Sequence, residues 1–409
     1  MISIQSEQGG SDKYSRIQYE ETEKIGSSSQ HGLFIGSFGL TKVAVRRRTG
    51  PSAAQKEIEA LSTVRSFRVV RYITSEVVGQ YTLIATEWHD TSLYELVMVK
   101  EVKDRMGVKI LDVLKEAARG LAAFHSYQYA HQNLKASNVL ISKRMEQLVV
   151  VISDLGRSKM QQGGLRTKPI FRDLQFFGTL LHFSLSDAAR LAPDWTTFVR
   201  DEASWNLDGL GDKSDRYLAK NLITRLNNQA QFDFPSALIE HHPLFWKDHL
   251  KLEYFSAISE QFSGKNQYLM EKQLLEHNAS GVIATNFSVR LGVQIKKTAY
   301  NTKSVYDLIR FIRNKRAHYQ EDVLNGVHPC GTLPTQFLKH FTSSPKFVFC
   351  FDSGFTIRLL QLLTHTFAAT QHLGYESAFE KFYPAQMSLY SSLSHQHQEW
   401  ITNKSPNRY

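Results

Sequence analysis

The spacing of apolar residues changes part-way along this chain, and that change constrains the fold most. Before about residue 90 the apolar residues come in short runs: Leu33-Phe-Ile, Val43-Ala-Val, Val69-Val-Arg-Tyr-Ile and Tyr81-Thr-Leu-Ile-Ala. Short runs rich in β-branched and aromatic residues predict strands. One segment of helical period interrupts them, over residues 53–65, with Ile58 and Leu61 on one face. From Val108 onward the period is helical, and Val113, Ala117, Leu121 and Phe124 form a stripe to be buried. Two more strands are expected, at Val139-Leu-Ile and at 148–152. Beyond Asp173 the pattern is helical almost throughout. A small β-rich lobe followed by helices is an α+β arrangement.

At 409 residues the chain exceeds what one hydrophobic core organises, so two domains are expected. His241-His-Pro-Leu-Phe-Trp246 interrupts the helical pattern. The predicted division is a polar tail over 1–18, a first domain over 19–245, a second over 246–385, and a Ser- and His-rich tail over 386–409. Cys330 and Cys350 make neither a disulfide framework nor a zinc set, which points to a reducing compartment. The first ten residues lack a signal-peptide pattern, and no apolar run is long enough for a bilayer. The expectation is a cytoplasmic chain, or the cytosolic face of a longer one, without membrane contact of its own.

Within the first domain, Ile25-Gly26 opens a glycine-containing turn and Val43-Ala-Val-Arg46 follows on a strand. His131-Gln-Asn-Leu-Lys-Ala-Ser-Asn138 and Asp154-Leu-Gly156 come later in the same order. Together they resemble the protein-kinase signature set, over roughly 19–246. The departures carry chemistry. Asn133 stands where a kinase has the carboxylate that accepts the substrate hydroxyl's proton, and an amide is no base at neutral pH. Arg46 replaces the phosphate-holding lysine, with Glu57 as its expected partner. Ser28 replaces a second glycine, Gly32 is out of register, and the stretch from Gly156 to Arg172 is short. Arg172-Asp173 resembles the aspartate that begins the central helix of the large lobe. Asn138 and Asp154 survive as metal-facing groups. The resemblance implies a pseudokinase whose cleft holds ATP or ADP with magnesium, through Gly26, Arg46, Glu57, Asn138 and Asp154, with Asn138 and Asp154 on the metal. A scaffold with an empty cleft is the alternative.

The second domain contains a basic stretch. From Arg290 to Arg316 there are eight Lys or Arg residues and one acid, Asp307, in a chain of net charge +10. A polyanionic partner suits that distribution, and a solvated basic face is the plainer reading. Val305, Leu308, Ile309 and Ile312 predict the buried face of a helix. Arg310, Arg313 and Asn314 then point away from the core, and Asn314 shares a face with His318 if the helix continues. Histidine exchanges protons near neutral pH. Arginine grips a phosphate with two parallel hydrogen bonds. Tyr300 and Asn314 can position a ribose and a phosphate.

A kinase-like domain ending in His242-Pro-Leu-Phe-Trp246 and followed by this motif resembles the kinase-extension nuclease family. Its members include the unfolded-protein-response sensor, an inositol-requiring kinase/endoribonuclease, and ribonuclease L. Leu252-Glu-Tyr-Phe-Ser-Ala-Ile-Ser-Glu260, Gly331-Thr-Leu-Pro334 and Leu363-Thr-His-Thr-Phe367 extend the similarity over about 246–383. The resemblance implies a bilobal kinase-like fold followed by an all-α ribonuclease domain, acting on RNA as a homodimer. It implies metal-independent cleavage by the ribose 2′-hydroxyl, with no cofactor for that step. His318 would be the general acid, Tyr300 would take the 2′-hydroxyl proton with Arg313 as the nearby cation, and Arg313 and Asn314 would hold the phosphate. The other readings are a catalytically silent RNA- or protein-binding regulator, and an active Ser/Thr kinase, which Asn133 disfavours.

Overall fold

The computed structural model describes residues 16–25, 32–162, 167–186, 207, 210, 213–227, 236–264, 267–276, 300–301, 303–317 and 382. The chain divides into two compact units, Met1–Gly211 with Leu222–Glu240, and Asp212–Asn221 with His241–Tyr409.

The first unit opens with an antiparallel five-stranded sheet. Its strands are β1 (Ile17–Ile25), β2 (Leu33–Phe38), β3 (Thr41–Thr49), β4 (Tyr72–Val78) and β5 (Tyr81–Glu87), in the order β1-β2-β3-β5-β4. β1 starts inside the segment expected to be a tail. Ile17 is buried and its N–H donates to the Glu76 carboxylate at 3.1 Å, so Ile17 and Gln18 belong to the sheet. The rest of β1 reads poorly as a strand because its charged residues face solvent at the sheet edge. β4 begins three residues later than the run at Val69 predicts. Val69 bridges Ile152 instead, and the Val70 N–H donates to the Ile152 carbonyl at 2.9 Å.

Alternation along β3 decides which arginines reach the site. Val43 and Val45 join Ile17, Phe34, Leu83 and Ala85 on one face. Arg47 shares their direction, pairs with Glu21 at 2.5 Å and lies over the Phe34 and Tyr81 rings. Arg46 and Arg48 take the opposite face, against helix α1 (Pro51–Thr63). That helix starts with Pro51 after Gly50, whose φ of 88° suits glycine. Its buried positions are Ala54, Glu57, Ala60 and Leu61, so a carboxylate shares the inward face and Ile58 sits at its margin.

Short helices α2 (Leu93–Met98) and α3 (Lys100–Met106) lead to α4 (Ile110–Ser126), whose buried stripe contains Val113, Ala117, Leu121 and Phe124 as the spacing predicts. β6 (Thr91–Ser92), β8 (Val139–Arg144) and β9 (Gln147–Ile152) form a small sheet, and β7 (Tyr129–Ala130) pairs with β10 (Lys159–Met160). Helix α5 (Lys168–Leu185) begins before Asp173 and takes Pro169 into its first turn, so Asp173 lies within the helix rather than at its start. Helix α6 (Lys213–Asn227) contains the division between the units.

In the second unit every regular element among the described residues is helical. These are the first part of α6, a 3-10 turn (Pro243–Phe245), α7 (Asp248–Gln261), α8 (Gln267–Glu276) and α9 (Val305–Ala317). Tyr254, Phe255, Ile258 and Phe262 of the α7 segment are fully buried. Val305, Leu308, Ile309 and Ile312 are buried on α9, as the spacing predicts. The Tyr306 hydroxyl, also buried, donates to the Ser259 carbonyl at 2.9 Å. Among the described residues no helix is long and apolar enough to cross a membrane.

Candidate functional sites

In the first unit Asp173 organises the turn that carries Asn133. Its carboxylate is fully buried and accepts the His131 N–H at 2.6 Å and the Gln132 N–H at 2.8 Å. It also meets His125 Nε2 at 3.1 Å. Gln132 sits at φ 62°, in the left-handed region that side chains disfavour. His131 accepts the Asn133 N–H on Nδ1 at 3.2 Å, so its Nε2 carries the proton donated to the Ser153 carbonyl at 2.9 Å. Burial pushes the His131 imidazole below its ordinary pKa, which keeps that neutral tautomer.

Asn133 thereby meets Asp154. Its Nδ2 donates to Asp154 Oδ2 at 2.7 Å, and Asn138 Nδ2 stands 3.4 Å from the same oxygen. A carboxylate only accepts, so both asparagines must turn their NH2 groups toward it. The other oxygen, Oδ1, accepts Arg46 Nη1 at 2.6 Å and lies 3.4 Å from Arg48 Nη2. Both arginines also bind Glu57, with Arg46 Nε at 3.3 Å and Arg48 Nε at 2.6 Å. The expected Arg46–Glu57 pair is present. Arg48 was not expected, although its i, i+2 spacing from Arg46 on a strand was the signal for it. Gly156 makes room for it, since a Cβ there would overlap the Arg48 guanidinium. Gly26 lies outside the described residues.

This arrangement does not fit the magnesium nucleotide that the kinase resemblance implies. Magnesium takes oxygen ligands. Here both Asp154 oxygens are engaged by N–H donors, and Asn138 presents its nitrogen rather than its oxygen. The expected set of Arg46, Glu57, Asn138 and Asp154 is assembled, but its members hold one another.

Burial raises the Asp154 pKa, yet the surrounding positive charges, Arg46 and Arg48 foremost, outweigh burial and hold it below the ordinary carboxylate value. A depressed folded-state pKa contributes stability that is present above the unfolded value, about 3.9, and disappears as pH falls through the folded one. Asp154→Asn is therefore expected to melt below the wild type at pH 7 and to converge with it below about pH 4. Parallel melting curves across that range would contradict this role.

In the second unit the basic stretch builds a compact cluster at α9. Ser304 caps the helix, its hydroxyl accepting the Asp307 N–H at 3.1 Å. Glu271 of α8 accepts the N–H groups of Val305 at 3.2 Å and Tyr306 at 2.8 Å, satisfying donors a helix start leaves open. Asp307, the single acid of the stretch, accepts the Asn301 N–H at 2.6 Å and Arg310 Nη1 at 2.5 Å. It thus ties the segment carrying Tyr300 back onto the helix. Asn314 Nδ2 then donates to the Tyr300 hydroxyl at 2.5 Å, and Arg313 Nη1 donates to Asn314 Oδ1 at 2.7 Å. Arginine can only donate, which fixes the orientation of the Asn314 amide.

Three of the four expected residues, Tyr300, Arg313 and Asn314, are therefore joined in one chain of hydrogen bonds. His318 lies outside the described residues. The cation beside Tyr300 is Arg310, over its ring at 5.4 Å, whereas Arg313 was expected there. Arg313 turns instead to Asn314 and, at 3.8 Å, to Glu260.

Residues 40–179 match the protein kinase domain and residues 251–383 match Ribonuclease 2-5A. A Caenorhabditis elegans protein, serine/threonine-protein kinase/endoribonuclease ire-1, is 25% identical over 412 residues, covering 90% of this chain and 41% of the relative. The Homo sapiens protein serine/threonine-protein kinase/endoribonuclease IRE2 is 27% identical over 394 residues, covering 86% and 41%. In both domain matches and in these relatives the chain is similar to the inositol-requiring kinase/endoribonuclease family.

The two domain matches make the first unit a protein kinase domain with a β-sheet lobe and helices, and place a kinase-extension ribonuclease domain after it. The chain spans about two fifths of the length of these relatives. Sequence reasoning passed over Arg48 and Glu271, and it gave Arg310 and Asp307 no part in the site. Besides the i, i+2 spacing of Arg48, Ser304-x-x-Asp307 carried a recognisable local signal, that of a helix N-terminus.

Proposed function

We propose that the chain is a metal-independent endoribonuclease whose kinase domain does not transfer phosphate. The observation that carries the reading is the Arg313–Asn314–Tyr300 chain, which brings a cation, an amide and a phenol together on the exposed side of one helix. The relatives' printed names, kinase/endoribonuclease, support the nuclease half; they also name a kinase, and the reading departs from them there because of Asn133.

The ribose 2′-hydroxyl attacks the adjacent phosphorus and the 5′-oxygen leaves. Tyr300 takes the 2′ proton as its phenolate, with the Arg310 guanidinium over its ring as the nearby cation, and Asn314 orients the phenol oxygen by donating to it. Arg313 spends one nitrogen on Asn314 and keeps its second Nη for a phosphate oxygen, a preorganised charge of the kind that stabilises such transition states. His318 protonates the leaving oxygen. The acid, the base and the cation all come from the chain, so the reaction requires no metal. Substrates are single-stranded or looped RNA, and the active form is a homodimer. In the kinase domain Asn133 cannot take a proton, and its amide is committed to Asp154.

The test is incubation of the purified chain with an end-labelled stem-loop RNA in EDTA. Cleavage is expected to persist and to leave 2′,3′-cyclic phosphate and 5′-hydroxyl ends, while labelled ATP gives no autophosphorylation. Products with 5′-phosphates, or loss of cleavage on chelation, would overturn the nuclease mechanism. Robust magnesium-dependent autophosphorylation would overturn the pseudokinase half.

A further inference from the structure

We propose that the guanidinium of Arg48 is a built-in replacement for the cation of a kinase cleft, so that this domain keeps helix α1, strand β3 and the Asp154 turn assembled with no magnesium nucleotide. The inference rests on reading the first unit as a kinase domain that does not transfer phosphate.

The geometry reaches this from three sides. Asp154 lies at φ 64° and ψ 64°, a left-handed backbone that few residues besides glycine, asparagine and aspartate adopt. Four N–H donors surround that side chain: Arg46, Arg48, Asn133 and Asn138. Two of them are cationic, and they bring the charge that a divalent ion would bring. Both guanidinium groups reach on to Glu57, which is 3% exposed on α1. One pair of arginines therefore ties helix α1, strand β3 and the Asp154 turn together.

Arg46 alone stands at the ordinary lysine position and could pair with Glu57 as a lysine does. Arg48 is the addition. It is seated between Glu57 and Asp154, and Gly156 leaves the space it fills. A cavity of about 860 Å³ does open beside Asn133 and Lys135, but none of Arg46, Arg48, Glu57 or Asp154 lines it. Two positive charges already neutralise the two carboxylates, so a third cation gains little there, and its oxygen ligands are taken.

The experiment compares the melting temperature of the full chain in magnesium-ATP with that in ATP plus EDTA. A ligand that binds only the native state raises that temperature. The wild type is expected to show no magnesium-dependent shift. Arg48→Ala removes one of the two cations beside Asp154, with Arg46 still on Oδ1, and is expected to gain a shift of at least about 2 °C that depends on magnesium. Arg46→Lys combined with Arg48→Ser restores the ordinary lysine and serves if the single variant folds poorly. A magnesium-dependent shift in the wild type that Asp154→Ala removes would overturn the proposal. Folded Arg48 variants with no magnesium response would overturn it too. Phosphotransfer and RNA cleavage are read in separate assays, so failure here is distinguishable from failure of the functional reading.

Discussion

RNA cleavage by His318→Ala is expected to fall by about 10²–10⁴-fold, the usual worth of one positioned proton donor. Folding and RNA binding should be nearly unchanged. The argument starts from Asn314, whose amide is committed on one side to Arg313 and on the other to Tyr300. On the proposed mechanism Tyr300 as base and Arg313 as phosphate-holding cation are thereby fixed in place, but neither can protonate the leaving 5′-oxygen at neutral pH. On that mechanism Tyr300 serves the attacking 2′-oxygen, and an arginine never gives up its proton. His318, four residues beyond Asn314, is the group in the stretch with the right chemistry. Arg313→Lys should also be damaging, because a point charge cannot both hold Asn314 and grip a phosphate. Single-turnover rates on a stem-loop RNA, read beside melting and filter-binding measurements, check both. A His318→Ala protein that cuts at the wild-type rate would remove His318 from the mechanism.

How far the sequence revealed these sites depended on the kind of interaction. The inward face of α9 was legible because Val305, Leu308, Ile309 and Ile312 follow helical spacing. The Arg46–Glu57 pair was legible because the kinase motif fixes both positions. Arg48 was visible only in principle. Three consecutive arginines on a strand must alternate in direction, yet nothing local says that a second one will find Glu57 and Asp154. That needs the distance from β3 to the Asp154 turn, which is a tertiary quantity.

The same limit explains Arg310 and Arg313. Their spacing on α9 was right, but which of them stands over Tyr300 is decided by Asp307, which anchors both Asn301 and Arg310. Reading Asp307 as the lone acid of a basic run missed that it shapes the site. Glu271 left no trace in sequence at all, because its partners lie over thirty residues away and are backbone N–H groups. Edge strand β1 was missed in part for a different reason. Its exposed charges satisfy an edge, and they hide the period that marks a buried strand.

Asp173→Ala is expected to destabilise the kinase domain by about 3–5 kcal/mol, as when a buried, hydrogen-bonded charge loses its partners. For a unit of this size that is a fall of roughly 10 °C in melting temperature. Asp173 is fully buried, and its two oxygens accept the N–H groups of His131 and Gln132 and meet His125. Alanine would leave those donors buried without acceptors, each at a cost of about 1–3 kcal/mol. Gln132 would also lose a bond that holds its left-handed backbone. Asp173→Asn should cost less, because it keeps one carbonyl acceptor while turning an NH2 toward donors. The loss should pass outward along the chain of contacts, from His131 to Asn133 and from Asn133 to Asp154. Calorimetry on the full chain separates this from a local effect. The transition of the kinase domain should move while that of the ribonuclease domain does not, and an unchanged profile would mean that the turn carrying Asn133 is held by something other than Asp173.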